Sequence, residues 1–442
     1  MLHRLTPAVA FVAVAILAAP ALAQTTDLDP RIQKLISEIS EERLRALDEK
    51  LQSFRTRNTL STADPAAGAI GAARQWMLDE MRQSSPRLQV SFDTYQVAQQ
   101  GRITRDIELS NVMAVLPGKS ARRIYVSGHY DSLNLNRGGP RPAEGENPAD
   151  VRAPGANDDG SGTVLTMELA RVFGQSGVDF DATLVFIALA GEEQGLIGAH
   201  AHAQKAEAEK IAIDAVYNND MVANEMGGAA IADSASVRVF SEGPEDSPSR
   251  QLARYIRRIG AWYVPSLFVR LIARHDRFGR GGDHTAFNQH GFAAVRITET
   301  KEHYGRQHSP DDLPGGMSFA YLAQNARLNA AAMATQALAP PAPMVTSGNG
   351  RPMLGRQPSG YDANLRWTAS PGAVAYRVFW REAWTMDWQH EVRVGNVTEF
   401  VLPDVSIDDY VFGVAAIGPD GHESVVSAYV NPPRGETTIV VK

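Results

Sequence analysis

No cysteine occurs in the 442 residues. Disulfides are excluded as a source of stability, so a chain of this length must hold its fold by burying a core. Any metal site must use imidazole and carboxylate, because thiolate is absent. Basic residues are in deficit: 43 Lys and Arg against 50 Asp and Glu give a formal net charge of −7. No basic stripe is present for a phosphate backbone to follow, and nucleic acid is excluded as a partner. Long apolar runs are scarce too. The one from Pro7 to Pro20 falls short of the ~20 residues that span a bilayer. Arg4 precedes it and Ala21-Leu22-Ala23 follows as a small-x-small pattern, with Gln24 next. Residues 1–23 therefore read as a cleaved signal peptide rather than an anchor, and the expected location is secreted or periplasmic.

What is present is an ordinary globular balance, 44% hydrophobic and 21% charged, which argues against wholesale disorder. Ile32, Leu35, Ile36, Ile39, Leu47 and Leu51 recur at helical spacing between charges. They predict an amphipathic helix over 31–51, within an N-terminal helical segment 30–58. A second helix is expected over 71–81, and alternation predicts strands over 88–97 and 107–116. Short β-branched runs then recur at 124–127, 183–190, 212–218 and 293–298, with helical stretches at 162–173 and 193–205 between them. Strands alternating with helices mean an α/β domain, here 24–338, with a mostly parallel mixed sheet sandwiched by helices. Its ligands belong beyond the carboxyl ends of the strands. The Pro/Ala-rich stretch 337–343 reads as a stiff linker, placing a boundary at 339–344. Short alternating strands at 365–367, 375–380, 391–394, 399–402, 410–417 and 424–430 predict a small all-β sandwich over 345–435. No internal repeat is visible.

Five segments end in metal-capable residues. His129-Tyr130-Asp131 follows one strand, Asp158-Asp159 opens a helix, Glu192-Glu193 follows a second strand, Asp220 a third, and His308 lies in the loop after a fourth. Each has a plain alternative: a lone His is usually surface or core, Asp-Asp-Gly a turn or helix cap, and Glu-Glu a solvated face. Their common placement is what informs. A parallel sheet gathers its strand C-termini on one edge, bringing His129, Asp158, Glu193, Asp220 and His308 together. Such a cluster repels itself without a cation. Two Zn²⁺ against three ligand carboxylates and one hydroxide make a neutral unit that tolerates partial burial.

The segments HYDS, APGANDDGSG, AGEEQGLIGA, NNDM, GGDHTAF and QHSPDD stand in that order between about 112 and 312. In that order they resemble the M28 family of zinc aminopeptidases, bacterial secreted type, with the zinc exopeptidase fold over roughly 60–338. The resemblance implies two Zn²⁺ per chain: His129 and Asp220 on one, Glu193 and His308 on the other, Asp158 bridging. It implies Glu192 as general base, transferring a proton from a di-zinc-bound hydroxide's parent water to the leaving amine. Asp131 would accept a hydrogen bond from the far nitrogen of His129, and the Asp158–Asp159 peptide would be cis. Substrates would be peptides with a free N-terminus. Co²⁺ or Mn²⁺ suits the same donors. Glutaminyl cyclisation, carboxypeptidase or dipeptidase action on the same scaffold, and a catalytically silent binding protein remain as alternatives.

Tyr304 and His284 are candidate pocket residues. Asp283 reads as a helix N-cap; His200 and His202, two apart on a helix, face different ways and make poor joint ligands. The Gly/Pro/Asn-rich loop 133–154 is either a pocket rim or a tolerated insertion. Residues 343–433 resemble a fibronectin type III module. Trp367 and Tyr376 belong in its core, whereas Trp380, Trp384 and Trp388 either pack there or form an exposed cluster for a protein or glycan partner. Asn396-Val397-Thr398 is a glycosylation sequon.

Overall fold

The computed structural model describes residues 28–135, 147–356 and 360–430. The expected signal peptide lies outside these residues, as do 136–146 of the loop 133–154 and 431–435 of the expected sandwich.

The expected α/β sheet is present. Eight strands, β1 (Gln89–Val97), β2 (Ile107–Leu116), β3 (Arg123–His129), β4 (Thr183–Leu189), β5 (Ile213–Asn219), β6 (Ser236–Ser241), β7 (Phe268–Ile272) and β8 (Ala294–Glu299), form one sheet in the order β1-β2-β4-β3-β5-β8-β6-β7. The central β4-β3-β5-β8 run is parallel, and β1, β2 and β6 pair antiparallel with their inner neighbours. Alternation along the central strands loads both faces. Ile124, Val126, Leu184, Phe186 and Ala188 face one apolar layer, whereas Tyr125, Val185, Ile187 and Leu189 face another. The larger layer holds α1 (Pro30–Ser37), α2 (Glu41–Gln52), α3 (Ala69–Ser84), α4 (Ser161–Gln175), α6 (Pro248–Tyr263) and α8 (Phe319–Leu338). The smaller one holds α5 (Ile197–Ala208) and α7 (His284–Gln289).

Three boundaries differ from expectation. The single helix over 31–51 is two, because Ser40 is extended and caps α2: its Oγ accepts from Arg43 N, and its own N–H donates to Glu168 on α4. The helix expected from 193 starts at Ile197. Gly191 and Gly195 have positive φ, and the N–H groups of Gly195 and Leu196 both close onto Glu192 O, making a tight turn first. The strand expected over 424–430 shrinks to Ser427–Ala428. The pairs β6/β7 and the long helices α6 and α8 carry no expectation above; α8 is buried nearly all round, which erases amphipathic periodicity.

Beyond α8, β9 (Leu354–Arg356), β10 (Ala363–Arg366), β11 (Ala375–Glu382), β12 (His390–Val394), β13 (Glu399–Leu402), β14 (Tyr410–Ile417) and β15 (Ser427–Ala428) form two antiparallel sheets, β13-β10-β9 and β12-β11-β14-β15. Trp367, Tyr376, Val378, Phe412 and Val414 share their core. The three tryptophans are not exposed together. Trp388 sits within 5.8 Å of the Arg254 and Arg381 guanidinium groups, Trp380 stacks on His390, and Trp384 alone is freely exposed. Arg254 of α6 donates to Met386 O at 2.6 Å, and Arg381 pairs with Asp246 at 2.8 Å. These contacts seat the β-sheets on α6.

Candidate metal centre

The parallel strands deliver their polar ends to one edge. His129 ends β3, Glu192 and Glu193 follow β4, Asp220 follows β5, and His308 lies in the loop beyond β8. Asp158 sits in the turn that enters α4. The Asp158–Asp159 peptide is cis.

Two groups of side chains converge. Ligand atoms of His129, Asp158 and Asp220 lie within 4.8 Å of one another, as do those of Asp158, Glu193 and His308. Asp158 belongs to both. Its Oδ1 is 3.4 Å from His129 Nε2 and its Oδ2 is 3.1 Å from His308 Nε2. His308 Nε2 is also 3.1 Å from Glu193 Oε2. His129 Nε2, Asp158 Oδ2, Glu193 Oε1 and Asp220 Oδ1 are buried without a hydrogen-bond partner. Stranding four such atoms costs roughly 1–3 kcal/mol each unless a further group satisfies them. A pair of nitrogen- and oxygen-loving dications fits this donor set, with three acids to balance them.

Protons feel the same crowding. Burial opposes charge on His308, yet Asp158 and Glu193 push its pKa up to about 10. Burial also opposes charge on His129, but Glu192, Asp131 and Asp158 hold it well above the ordinary imidazole value. Glu192 is driven well above the carboxylate range by burial, with Glu193 and Asp220 adding repulsion and His129 opposing. Its Oε2 lies 3.9 Å from His129 Nε2, and the side chain retains 13% exposure, enough to meet a substrate.

Four further acids hold the backbone rather than the cluster. Asp131 Oδ1 and Oδ2 accept from the N–H groups of Glu192 and Glu193, each at 3.1 Å. His129 Nδ1 meets the Asp131 backbone carbonyl at 3.2 Å, closer than the carboxylate at 3.5 Å, so the carbonyl is the nearer acceptor for the expected hydrogen bond. Asp159 accepts from Gly162 N, Met221 N and His129 N at 2.9–3.1 Å, tying α4, β5 and β3 together. Asp312 accepts from Asn157 N and Asp158 N, and burial pushes its pKa up to about 7. Glu299 accepts from Asn224 N and from the Asn157 amide. The Asp-Asp-Gly and Ser-Pro-Asp-Asp strings that supply Asp159 and Asp312 look like turns, so sequence reasoning missed both roles.

The remaining candidates fall differently. His284 is fully buried on α7, its Nε2 donating to His275 O at 2.7 Å, and burial lowers its pKa to about 4; it does not line an open pocket. Asp283 makes no cap hydrogen bond. It is already helical, and its buried carboxylate, raised to about 8 by burial, interacts with the charges of His129, Asp131 and Asp220. Arg296 on β8, also missed, is buried with Nη2 2.9 Å from Asp220 Oδ1, though not aligned as a hydrogen bond. Tyr304 is 60% exposed in the loop before His308. His202 is a buried partner of Asp93 (2.8 Å), away from the centre, whereas His200 packs edge-on to His290. Among the described residues, no helix is long and apolar enough to cross a membrane.

Residues 111–333 match the model of Peptidase family M28. A protein of Pyricularia oryzae named "Probable zinc metalloprotease" is 36% identical over 91% of this chain and 84% of its own length. The LapA aminopeptidase of Legionella pneumophila superposes with a TM-score of 0.53 at 21% identity, over 69% of this chain and 74% of that one. A glutaminyl cyclase of Porphyromonas gingivalis superposes with a TM-score of 0.52 at 15% identity, over 67% and 98%. At these identities the two superpositions speak for the fold.

Proposed function

Because this chain belongs to peptidase family M28 and is a zinc metallopeptidase, we propose that it removes N-terminal residues from peptides at a pair of zinc ions. The single observation that carries the reading is Asp158. It is shared by two three-residue groups that would otherwise be separate sites. His129 and Asp220 would hold one ion, Glu193 and His308 the other. Zinc supplies Lewis acidity there, acidifying a water and polarising a carbonyl.

The protein's own groups do the rest. Glu193 is committed to a ligand group at 3.1 Å from His308, which leaves Glu192 as the free acid of the pair. As the free acid beside the ligands, Glu192 would take a proton from the attacking water and return it to the leaving amine. Asp131 orients both glutamates through their backbone N–H groups. The motif resemblance to M28 aminopeptidases, whose substrates have a free N-terminus, supports exopeptidase action over internal cleavage. The seven C-terminal strands, divided three and four between two sheets, support a fibronectin type III-like module. Export rests on the N-terminal apolar run and its cleavage pattern.

Glu192→Gln tests the mechanism. The variant should bind zinc as the wild type does and lose about 10²–10⁴-fold in kcat on aminoacyl nitroanilides; near-normal turnover would remove Glu192 from the reaction. Mass spectrometry of peptide products separates the readings, since loss of one residue marks an aminopeptidase and loss of ammonia from N-terminal glutamine marks a cyclase.

A further inference from the structure

A strap of chain between α2 and α3 crosses directly behind the metal-ligand turns. It lies upstream of residues 111–333, where the family model matches. Arg57 is buried in it, and every aligned hydrogen bond of its guanidinium goes to a backbone carbonyl. Nε donates to Tyr130 O at 2.6 Å, Nη1 to Pro154 O at 2.6 Å and Nη2 to Gly155 O at 2.7 Å, with a longer bond from Nη1 to Leu51 O. Tyr130 stands between His129 and Asp131. Pro154 and Gly155 begin the turn that presents Asp158, and Gly155 O also accepts from Gly160 N. The strap's backbone joins in: Arg57 N donates to Ser132 Oγ, Ser132 N to Arg57 O, and Ala153 N to Arg55 O.

Two residues on, Thr59 Oγ1 donates to Asp131 Oδ2 at 3.1 Å. That oxygen also accepts the N–H of Glu193, and its partner oxygen accepts the N–H of Glu192. One guanidinium and one hydroxyl thus reach three turns that are far apart in sequence: 129–131, 154–160 and, through Asp131, 192–193. A planar fork with five donors can bridge several carbonyls at once, which an ammonium cannot do. Asp48 on α2, itself buried, is the first of the acids whose charge supports Arg57.

We propose that Arg57 and Thr59 are positioning residues of the metal centre, setting the spacing of the His129, Asp158 and Glu193 turns from outside the region that the family model matches. The inference rests on the two-zinc reading. It makes residues 55–59 of the strap a working part of the peptidase.

The decisive variants are Thr59→Val, which keeps the shape and removes the donor, and Thr59→Ser, which keeps the donor. Zinc affinity is read by chelator competition, folding by the melting temperature of the metal-free protein, and kcat and KM on an aminoacyl nitroanilide. Partners of this kind typically govern metal affinity or activity by ~10–100-fold. Thr59→Val should lose at least about tenfold in zinc affinity or kcat with KM and metal-free melting little changed, and Thr59→Ser should restore the loss. Arg57→Lys should resemble Thr59→Val more strongly, because a point charge cannot span Tyr130, Pro154 and Gly155. If Arg57→Lys does not fold, the Thr59 pair decides. Wild-type zinc affinity and kcat in Thr59→Val would overturn the inference, as would failure of Thr59→Ser to recover. A wild type that binds no zinc would instead overturn the two-zinc reading beneath it.

Discussion

Gly162 is the second residue of α4, and its hydrogen is the reason that helix can begin where it does. A Cβ built there would lie 2.1 Å from Asn219 O and 2.5 and 2.8 Å from the carboxylate oxygens of Asp159. Ordinary contact begins at 3.4 Å, so Gly162→Ala forces a displacement of about 1.3 Å. Neither neighbour can yield cheaply. Asn219 O belongs to the residue before Asp220, inside the β5–β8 ladder. Asp159 is held by the N–H groups of Gly162, Met221 and His129. Gly128 of β3 lies equally close, since a Cβ on it would come within 2.3 Å of Gly162 C, so α4 starts hard against two neighbouring strands. Overpacking of this kind costs about 1–3 kcal/mol. Misplacing reactive groups by about 1 Å costs on the order of 10²-fold in rate. Gly162→Ala should therefore melt a few degrees lower, hold less zinc and lose about two orders of magnitude in kcat. Gly395→Ala, where no heavy atom lies within 4 Å, is the matched control and should behave as the wild type. Calorimetry, metal analysis and nitroanilide hydrolysis on the three proteins decide it. Wild-type zinc content and kcat in Gly162→Ala would show that the close approach of α4 to β3 and β5 does not set the ligand geometry.

Chelation should abolish hydrolysis and lower the melting temperature, because zinc at 1,000 times its Kd adds about 4 kcal/mol to folding; unchanged activity after exhaustive dialysis against chelator would refute a metal role. In the metal-free centre His308 carries a proton at pH 7, so zinc uptake should release protons and weaken as pH falls. Calorimetric titrations in buffers of different ionisation enthalpy read that release directly. Away from the site, burial disfavours the charge on Asp93, but hydrogen bonds from His202, Tyr95 and Asn111 pull its pKa down to about 2. A depressed acid stabilises the fold above its unfolded pKa and loses that contribution as pH falls through the folded one. Asp93→Asn should then cost about 2 kcal/mol at pH 7 and only about half as much at pH 3, in urea melts. A penalty independent of pH would show that shape rather than charge holds that cluster.

The ligand residues stood out in sequence because each interrupts an apolar pattern at a strand end. A His after Ile-Tyr-Val-Ser-Gly or an Asp after Ala-Val-Tyr-Asn-Asn has no packing reason to be there, and the sheet's parallel sense supplies the convergence. The same local logic failed wherever a residue's role depends on a distant partner. Ser40 breaks an otherwise continuous helical pattern because Glu168, 128 residues away, accepts its N–H. Arg57 sits in Phe-Arg-Thr-Arg-Asn-Thr, a string with no period, and its acceptors come from 130, 154 and 155. Trp388 could be read either as sandwich core or as part of an exposed cluster, and its actual neighbour, Arg254 of α6, lies 134 residues away. Arg296 was hidden by its strand: it reads as one polar interruption in an apolar run, yet it meets Asp220 and Asp276 at once.

Those distant partners also explain how so many acids can share one edge. Asp131, Asp159 and Asp312 lie around the centre and spend their oxygens on backbone N–H groups of the turns that carry ligands, while Glu299 accepts from Asn224 N and the Asn157 side-chain amide. A carboxylate that accepts two or three N–H bonds offsets its own burial and fixes the turn that donates them. Asp158, Glu193 and Asp220 each keep a buried oxygen that accepts no aligned hydrogen bond. The division is therefore between acids that hold the frame and acids that would face the cations. Substituting a framing acid should displace ligands even when every ligand is intact, the same failure that a methyl group on Gly162 would cause by pushing on the Asp159 carboxylate.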